Sequence, residues 1–364
     1  MRGWGAKLFR ALAGFLILVT ALPLINSNEW WIRLWDFPRA QIAVLLTVAL
    51  AAGLLWRGFR GRGGALLGLG LAVALGYQIT RIWPYSPLHP TELPGAASCR
   101  PEERIRLAEI NVLQDNRDFA AVRDLVARER PDLVLLTETD AAWARSLEPL
   151  HPAYPHRVEV PLPNTYGMLL FSRFPLTGTD VRTLLEPDVP SIRTNLRLPS
   201  GRQILFYGVH PRPPVPGHDT AQRDAELVVV GREIRRAGRP TIVAGDLNDV
   251  AWSDTTRLFR KVSGLKDPRV GRRLMPTFPA DYPGLRWPLD YVFVTPGFTL
   301  LGMTRFGDVG SDHLPVAVDL CAERLGKVEI APTRLDAETR EEVREVIQEG
   351  VEEAREDAAD ARAR

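Results

Sequence analysis

Cysteine is scarce: there are two in 364 residues, Cys99 and Cys321. Neither lies in a CxxC or other zinc-like spacing, so a cysteine-built zinc site is excluded. A charge surplus is also missing. The formal net charge is +2, and residues 103–322 carry 28 Lys/Arg against 27 Asp/Glu. Proteins that grip nucleic acid through its phosphates usually carry a basic excess, so a large DNA-clamping surface is not expected, although a local patch would suffice. The 45% hydrophobic content looks globular, but the average conceals a split. The start is mostly apolar, the middle mixed, and the end mostly charged.

The apolar excess falls in three runs, residues 8–26, 40–56 and 64–83. Each has roughly the ~20 residues a helix needs to cross a bilayer core. Trp30, Trp31, Trp35, Trp56, Trp83 and Tyr85 cluster at the ends of the runs, as an interfacial aromatic belt does. Arg2, Lys7 and Arg10 would suit a cleaved leader, but no small-residue cleavage site follows and two further runs do. Those three basic residues, with Arg57, Arg60 and Arg62 in the second loop, outweigh Arg33 and Arg39, which Glu29 and Asp36 offset. The positive-inside rule then predicts a multi-pass cell-membrane protein whose N-terminus is cytoplasmic and whose chain beyond residue 85 is extracytoplasmic. Residues 1–85 read as a membrane domain with three transmembrane helices, and 86–103 as a semi-rigid Pro-rich linker.

From residue 104 to 322 strands and helices alternate. The stretches 104–112, 132–138, 167–172, 191–198, 203–210, 240–246, 289–294 and 314–320 read as strands. Residues 118–130 and 220–238 read as amphipathic helices, closed by Pro131 and Gly238. Many strands with helices between and outside them predict an α/β fold, a two-sheet sandwich flanked by helices. Residues 323–364 read as a charged tail, either a solvated helix with Val343, Ile347 and Val351 at helical spacing or a disordered segment.

Chemistry collects at strand ends: Asn111, Glu138, His210, Asp246 with Asn248, Asp290, and Asp312 with His313. A charge beside an apolar strand is costly unless it is paired or binds a metal. One such residue could be an ordinary satisfied polar group, but a whole set at strand ends of one domain points to one site. Carboxylates and amides are hard ligands suited to Mg²⁺ or Mn²⁺ rather than zinc. Asp246 and Asn248 are expected to face one side of an extended segment. A His beside an Asp provides a positioned base, and a second His can bind or protonate a phosphate oxygen. Metal, base and phosphate grip together describe hydrolysis of a phosphate ester by activated water. Arg193 is either a site partner or structural, and the run Lys261, Lys266, Arg269, Arg272 and Arg273 reads as a solvated loop or a headgroup contact.

INV at Asn111, LLTET at Glu138, YGMLLFSRFP at 166–175, VHP at His210, GDLN at 245–248, LDYVFV at 289–294 and SDHLPV at 311–316 follow one another in the chain. In that order they resemble the endonuclease/exonuclease/phosphatase (DNase I-like) superfamily. The resemblance implies Glu138 and Asp312 as metal-side acids, and Asn111 as a holder of metal or phosphate. It implies Asp246 as the residue that orients or activates water, and Asn248 as a phosphate contact. His210 would be a phosphate-binding His that can assist the leaving group, and His313 a general base or phosphate ligand oriented by Asp290. Some nucleases of the superfamily carry an Asp where Leu113 stands here, which leaves open whether one or two metals bind. The same resemblance makes the first and last strands neighbours, so a Cys99–Cys321 disulfide is expected, and an extracytoplasmic location would favour it. Three spans before an outward domain resemble the membrane-anchored bacterial members linked to teicoplanin resistance. The expected substrate is therefore a lipid phosphate or pyrophosphate, with membrane lipids as partners. A phosphorylated small molecule, a nucleic acid substrate and an inactive binding module are the alternatives.

Overall fold

Apolar, helix-favouring stretches at the start of the chain form four helices: α1 (Trp4–Ala21), the short α2 (Trp30–Arg33), α3 (Arg39–Leu55) and α4 (Gly61–Ile82). The computed structural model describes residues 3–56, 58–326 and 334–363, so Arg2 and Arg57, two of the residues behind the orientation reading, lie outside it. Helices α1, α3 and α4 pack together through Ala13, Leu16, Leu46 and Leu71. Their outer faces leave Leu8, Leu12, Val44, Val48, Leu66 and Val73 exposed, a band that water would not tolerate and lipid would. Trp4–Leu24 and Gly61–Tyr85 are each long and apolar enough to cross a membrane. The middle run counts as a third span only if Trp30–Asp36 joins α3 across a 69° bend. The reason is length, since 17 residues span about 26 Å, short of the roughly 30 Å core.

The Pro-rich segment does not swing free. Leu93 is buried in the core beyond it, and Ala96 N–H donates to Leu300 C=O at 2.8 Å. Among the described residues eleven strands follow: β1 (Arg104–Asn111), β2 (Leu133–Thr137), β3 (His156–Val160), β4 (Met168–Ser172), β5 (Leu176–Thr183), β6 (Pro190–Arg197), β7 (Gln203–Gly208), β8 (Thr241–Asp246), β9 (Asp290–Val294), β10 (Thr299–Arg305) and β11 (Val316–Cys321). Between and after them run α5 (Phe119–Glu129), α6 (Ala141–Leu147), α7 (Ala221–Ala237), α8 (Asp254–Ser263) and α9 (Ala337–Ala363).

Two mixed sheets result, ordered β10-β11-β1-β2-β4-β3 and β5-β6-β7-β8-β9. Among the named strands of the described residues, β1–β2 and β7–β8 pair in parallel and the other pairs are antiparallel. Alternation along each strand divides its side chains between two layers. Leu107, Leu133, Leu135, Phe206, Ile242 and Val292 fill the space between the sheets. Ala108, Ile110, Val134 and Leu136 face the other way, onto α5 and α6, while Leu205, Val243 and Phe293 face α7 and α8. Arg104 sits opposite Cys321 in the β1–β11 ladder, and a disulfide joins Cys321 to Cys99 with the Cα atoms 5.8 Å apart.

The tail helix α9 is docked rather than surrounded by water. Val343 packs on Val228, Leu258 and Val262 of α7 and α8. Its acids have specific partners as well: Asn28 donates to Glu349 at 2.9 Å, and Gln222 to Asp357 at 2.7 Å.

Candidate functional site

The parallel pairs bring the C-terminal ends of β1, β2, β7 and β8 to one rim, and the antiparallel β9 and β11 start there. Polar residues at those ends therefore converge. Gly245 makes one close approach possible. A Cβ at that position would lie 1.8 Å from the Val209 carbonyl oxygen, and its φ of 143° suits glycine. Val209 precedes His210 and Gly245 precedes Asp246, so the approach sets two site residues side by side. Glu138 (φ 58°), Leu113 (φ 56°) and Asn248 (φ 50°) hold left-handed backbone without being glycine, strain of the kind that clusters at functional sites.

Asn111 is the hub. Its Nδ2 donates to Glu138 Oε1 at 2.8 Å and to Asp246 Oδ2 at 3.1 Å. Its Oδ1 accepts from Leu113 N–H at 3.0 Å. Glu138, His210 and Asp246 present ligand atoms within 4.8 Å of one another, as do Asp246, Asp290 and His313. Asp246 belongs to both groups. Its Oδ2 lies 3.5 Å from His313 Nε2 and 3.8 Å from His210 Nε2. The other nitrogen of His313, Nδ1, lies 2.9 Å from Asp290 Oδ2.

Burial dominates the electrostatics. It pushes Asp246 up to about 6 despite His313, and pushes the Glu138 carboxyl up despite the Asn111 amide. Burial lowers His210, which favours a neutral imidazole, and the His210 Nδ1 atom is buried without a partner. For His313 burial also pulls down, but Asp290 and then Asp246 override it and raise the imidazole to about 10. Asp290 is the converse case: burial raises it, and His313 holds it below the usual carboxylate range.

Six of the eight residues singled out from the sequence thus share one cluster: Asn111, Glu138, His210, Asp246, Asp290 and His313. Asn248 adjoins it in a different conformation from that expected. It is not extended, because its N–H folds back onto Asp246 Oδ1 at 2.8 Å and its Nδ2 donates to Pro211 C=O at 2.9 Å. Asp312 is half-buried at the edge, belongs to neither ligand group, and its Oδ1 has no hydrogen-bond partner. Arg193 points elsewhere, donating to the Tyr207 hydroxyl at 3.3 Å, which in turn donates to Glu233 of α7. The basic run is not simply a solvated loop either. Arg269 is buried, paired with Asp267 at 2.8 Å and stacked 4.1 Å from the Tyr291 ring centroid.

Three neighbours escaped the sequence reading. Glu109 is fully buried on β1, and burial followed by the Asp290 charge raises its carboxyl well above the ordinary value. It is therefore a neutral acid able to share its proton with Asp290. A charge two residues before Asn111, in the middle of an apolar strand, was the available signal. Phe278 lies 4.8 Å from the His313 ring and Tyr166 5.6 Å from the His210 ring. Aromatics in loops carry no comparable signal.

The donor set fits a divalent cation. Two carboxylates and an imidazole face one point, the carboxylates are shifted toward protonation by burial, and a nearby cation would relieve both.

The model of the Endonuclease/Exonuclease/phosphatase family matches residues 108–313. A search of curated proteins returns no match. Among solved structures, humanized D. rerio TDP2 carrying 14 mutations is 17% identical, with a TM-score of 0.50, over 60% of this chain and 99% of that one. D. rerio TDP2 complexed with a single strand DNA product is 19% identical, with a TM-score of 0.50, over 60% and 98%. A Bacteroides thetaiotaomicron mannosyl-6-phosphatase is 18% identical, with a TM-score of 0.48, over 59% and 99%.

Proposed function

Because the chain belongs to the endonuclease/exonuclease/phosphatase family, whose members are phosphoric ester hydrolases and usually metal-dependent, we propose that it is a membrane-anchored Mg²⁺- or Mn²⁺-dependent phosphoesterase acting on a lipid phosphate or pyrophosphate. The observation that carries this reading is Asn111 bridging Glu138 and Asp246, with Asp246 shared by both ligand groups. Glu138 and Asp246 would hold the cation with Asn111 beside them. When bound, the cation neutralises phosphate charge and polarises the ester.

The protein groups divide the remaining work by charge. Asp246, kept ionised by a cation beside it, is placed to orient a water molecule for attack. His313 stays protonated through neutrality, which favours phosphate binding over a general-base role for it. Asp290 holds that imidazolium in place through Nδ1, so that Nε2, on the Asp246 side, is the nitrogen turned toward the site. His210, neutral, can donate one hydrogen bond to a phosphate oxygen or to the leaving group. Asn248 stands beside Asp246 as a further phosphate contact.

Two observations favour a lipid substrate over nucleic acid: the apolar helices and the near-neutral catalytic domain. An extracytoplasmic domain over a cytoplasmic N-terminus, as in the teicoplanin-linked membrane proteins, is part of the same proposal. The test uses the purified full-length protein with Mg²⁺ or Mn²⁺. One arm offers polyprenyl pyrophosphate in detergent, and the other offers plasmid and single-stranded DNA. Phosphate release in the first arm, abolished by His313→Ala, is expected. DNA cleavage abolished by His313→Ala would replace this reading with a nuclease, and hydrolysis in neither arm would favour a binding module.

A further inference from the structure

The segment between Met275 and Asp290 is held at both ends. Phe278 and Trp287 pair across its root, with Thr277 N–H donating to Trp287 C=O at 2.8 Å. Ala280 N–H donates to Asp312 C=O at 2.7 Å, and the Phe278 ring lies 4.8 Å from His313. The root is thus part of the catalytic rim. The tip meets the apolar bundle: Gln41, in the first turn of α3, donates to Gly284 C=O at 3.1 Å, and Phe37 sits edge-on to Trp287 at 5.7 Å. Residues 280–286 therefore form a lip that runs from the site to the mouth of the helical bundle.

Two features of the lip bear on what it meets outside the fold. Tyr282 is 63% exposed and Leu285 51% exposed, at the level where α3 begins. Arg273, Arg286 and Arg305 gather beside it and donate to backbone carbonyls of Met303, of Pro279 and Ala280, and of Pro276. Among the described residues none of the three forms an ion pair, and they act on one another as like charges. Mutually repelling guanidiniums flanking exposed apolar side chains at a membrane boundary match an anionic leaflet: apolar side chains enter the headgroup layer while arginines meet lipid phosphates.

From this placement we infer that the lip Ala280–Arg286 seats on the surface of an anionic phospholipid bilayer, so that the catalytic rim takes its substrate from the lipid–water interface. The inference rests on the membrane-anchored reading above. The catalytic rim is also the rim that the bundle touches elsewhere: Trp252 Nε1 donates to Asp36 C=O at 2.6 Å, and Thr220 N–H to Asn28 C=O at 2.9 Å. The β6–β7 turn at Ser200 lies at the opposite ends of the strands, where nothing comparable would reach lipid.

The test places an environment-sensitive fluorophore on single cysteines, Leu285→Cys, Ser200→Cys and Leu69→Cys, in full-length protein in nanodiscs containing shallow nitroxide-labelled lipid. Leu69 is an exposed position on α4 and reports whether the bundle is in lipid at all. Expected are strong quenching at positions 69 and 285 and at least a roughly twofold weaker effect at 200, since a seated side chain lies at headgroup depth. Replacing some phosphatidylcholine with phosphatidylglycerol should deepen quenching at 285, and Arg273→Gln/Arg286→Gln/Arg305→Gln should abolish that increment. Quenching at 69 with none above the Ser200 control at 285 overturns the lip while leaving the anchor intact. No quenching at 69 overturns both. Quenching at 285 that ignores phosphatidylglycerol overturns the anionic surface.

Discussion

Replacing Asp290 with asparagine keeps the shape of the side chain and removes one buried charge from the site. In the structure His313 Nδ1 lies 2.9 Å from Asp290 Oδ2, and the imidazole rises from 6.5 to about 10. That rise corresponds to about 5 kcal/mol of preference for the protonated ring, at 1.36 kcal/mol per unit. Asp290 is the foremost raising cause, ahead of Asp246. An opposite charge at this distance is worth about 1–3 units, so His313 in Asp290→Asn should titrate roughly 2 units lower, near 8. The effect on stability has a definite sign. A raised histidine stabilises the fold fully below its unfolded value of 6.5 and loses that contribution as pH climbs through about 10. The variant's deficit should therefore be larger near pH 6 than above pH 10, by about 3 kcal/mol. The assay is NMR of Cε1-labelled histidine in metal-free protein, with the His313 resonance assigned by its loss in His313→Gln. Phosphoesterase activity should fall because His313, although still largely protonated at neutral pH, loses the carboxylate that orients it. Equal His313 titration in both proteins would refute the electrostatic reasoning.

Other expectations follow from single contacts. Glu109 is held neutral by burial, so Glu109→Gln should melt close to wild type, whereas Glu109→Ala should cost about 1–3 kcal/mol by removing the proton that Glu109 shares with Asp290, leaving His313 Nδ1 to donate there alone; equal damage from both, seen by thermal denaturation, would argue against a shared proton. Glu226 is buried, accepts from Ser191 at 2.7 Å and is pushed by burial up to about 7. A carboxyl raised this way favours the fold at low pH and loses that advantage as pH rises from 4.5 to about 7. Glu226→Gln should therefore match wild type near pH 4 and be more stable at pH 8 by up to about 3 kcal/mol, a difference that denaturation at the two pH values would measure. The Cys99–Cys321 disulfide closes a separation of 222 residues, so its reduction should cost up to about 5 kcal/mol through the entropy of the unfolded chain; an unchanged melting curve after reduction would contradict this.

What the sequence made legible depended on patterns with few solutions. Strongly apolar runs announced β1, β2, β4, β7, β8, β9 and β11, and polar residues at their ends stood out because burial there needs a partner. By contrast β3, β5 and β10 were not anticipated. The β5 segment LTGTDVRT is almost wholly exposed at a sheet edge, so the hydrophobic alternation that signals a half-buried strand is absent. The tail was legible only as a solvated helix or a disordered segment, not as a packed helix, because only a few apolar positions, chief among them Val343, make its contact. Asn248 defied the period-2 rule because an Asx-type turn, Asn248 N–H onto Asp246 Oδ1, takes over where β8 ends. Glu109 carried the same burial signal as its neighbours, yet no motif drew attention to it. Arg269 looked like one member of a basic run, since the stacking against Tyr291 depends on residues 22 positions apart.

The central claim is that the strand-end cluster holds a divalent cation, and soaking Mn²⁺ into crystals and mapping its anomalous scattering tests it most directly. The account predicts a peak about 2.1 Å from carboxylate oxygens, a distance typical of hard ions on oxygen ligands, contributed by Glu138 and Asp246, and its loss in Asp246→Ala. Mn²⁺ bound elsewhere while this cluster stays empty would contradict it.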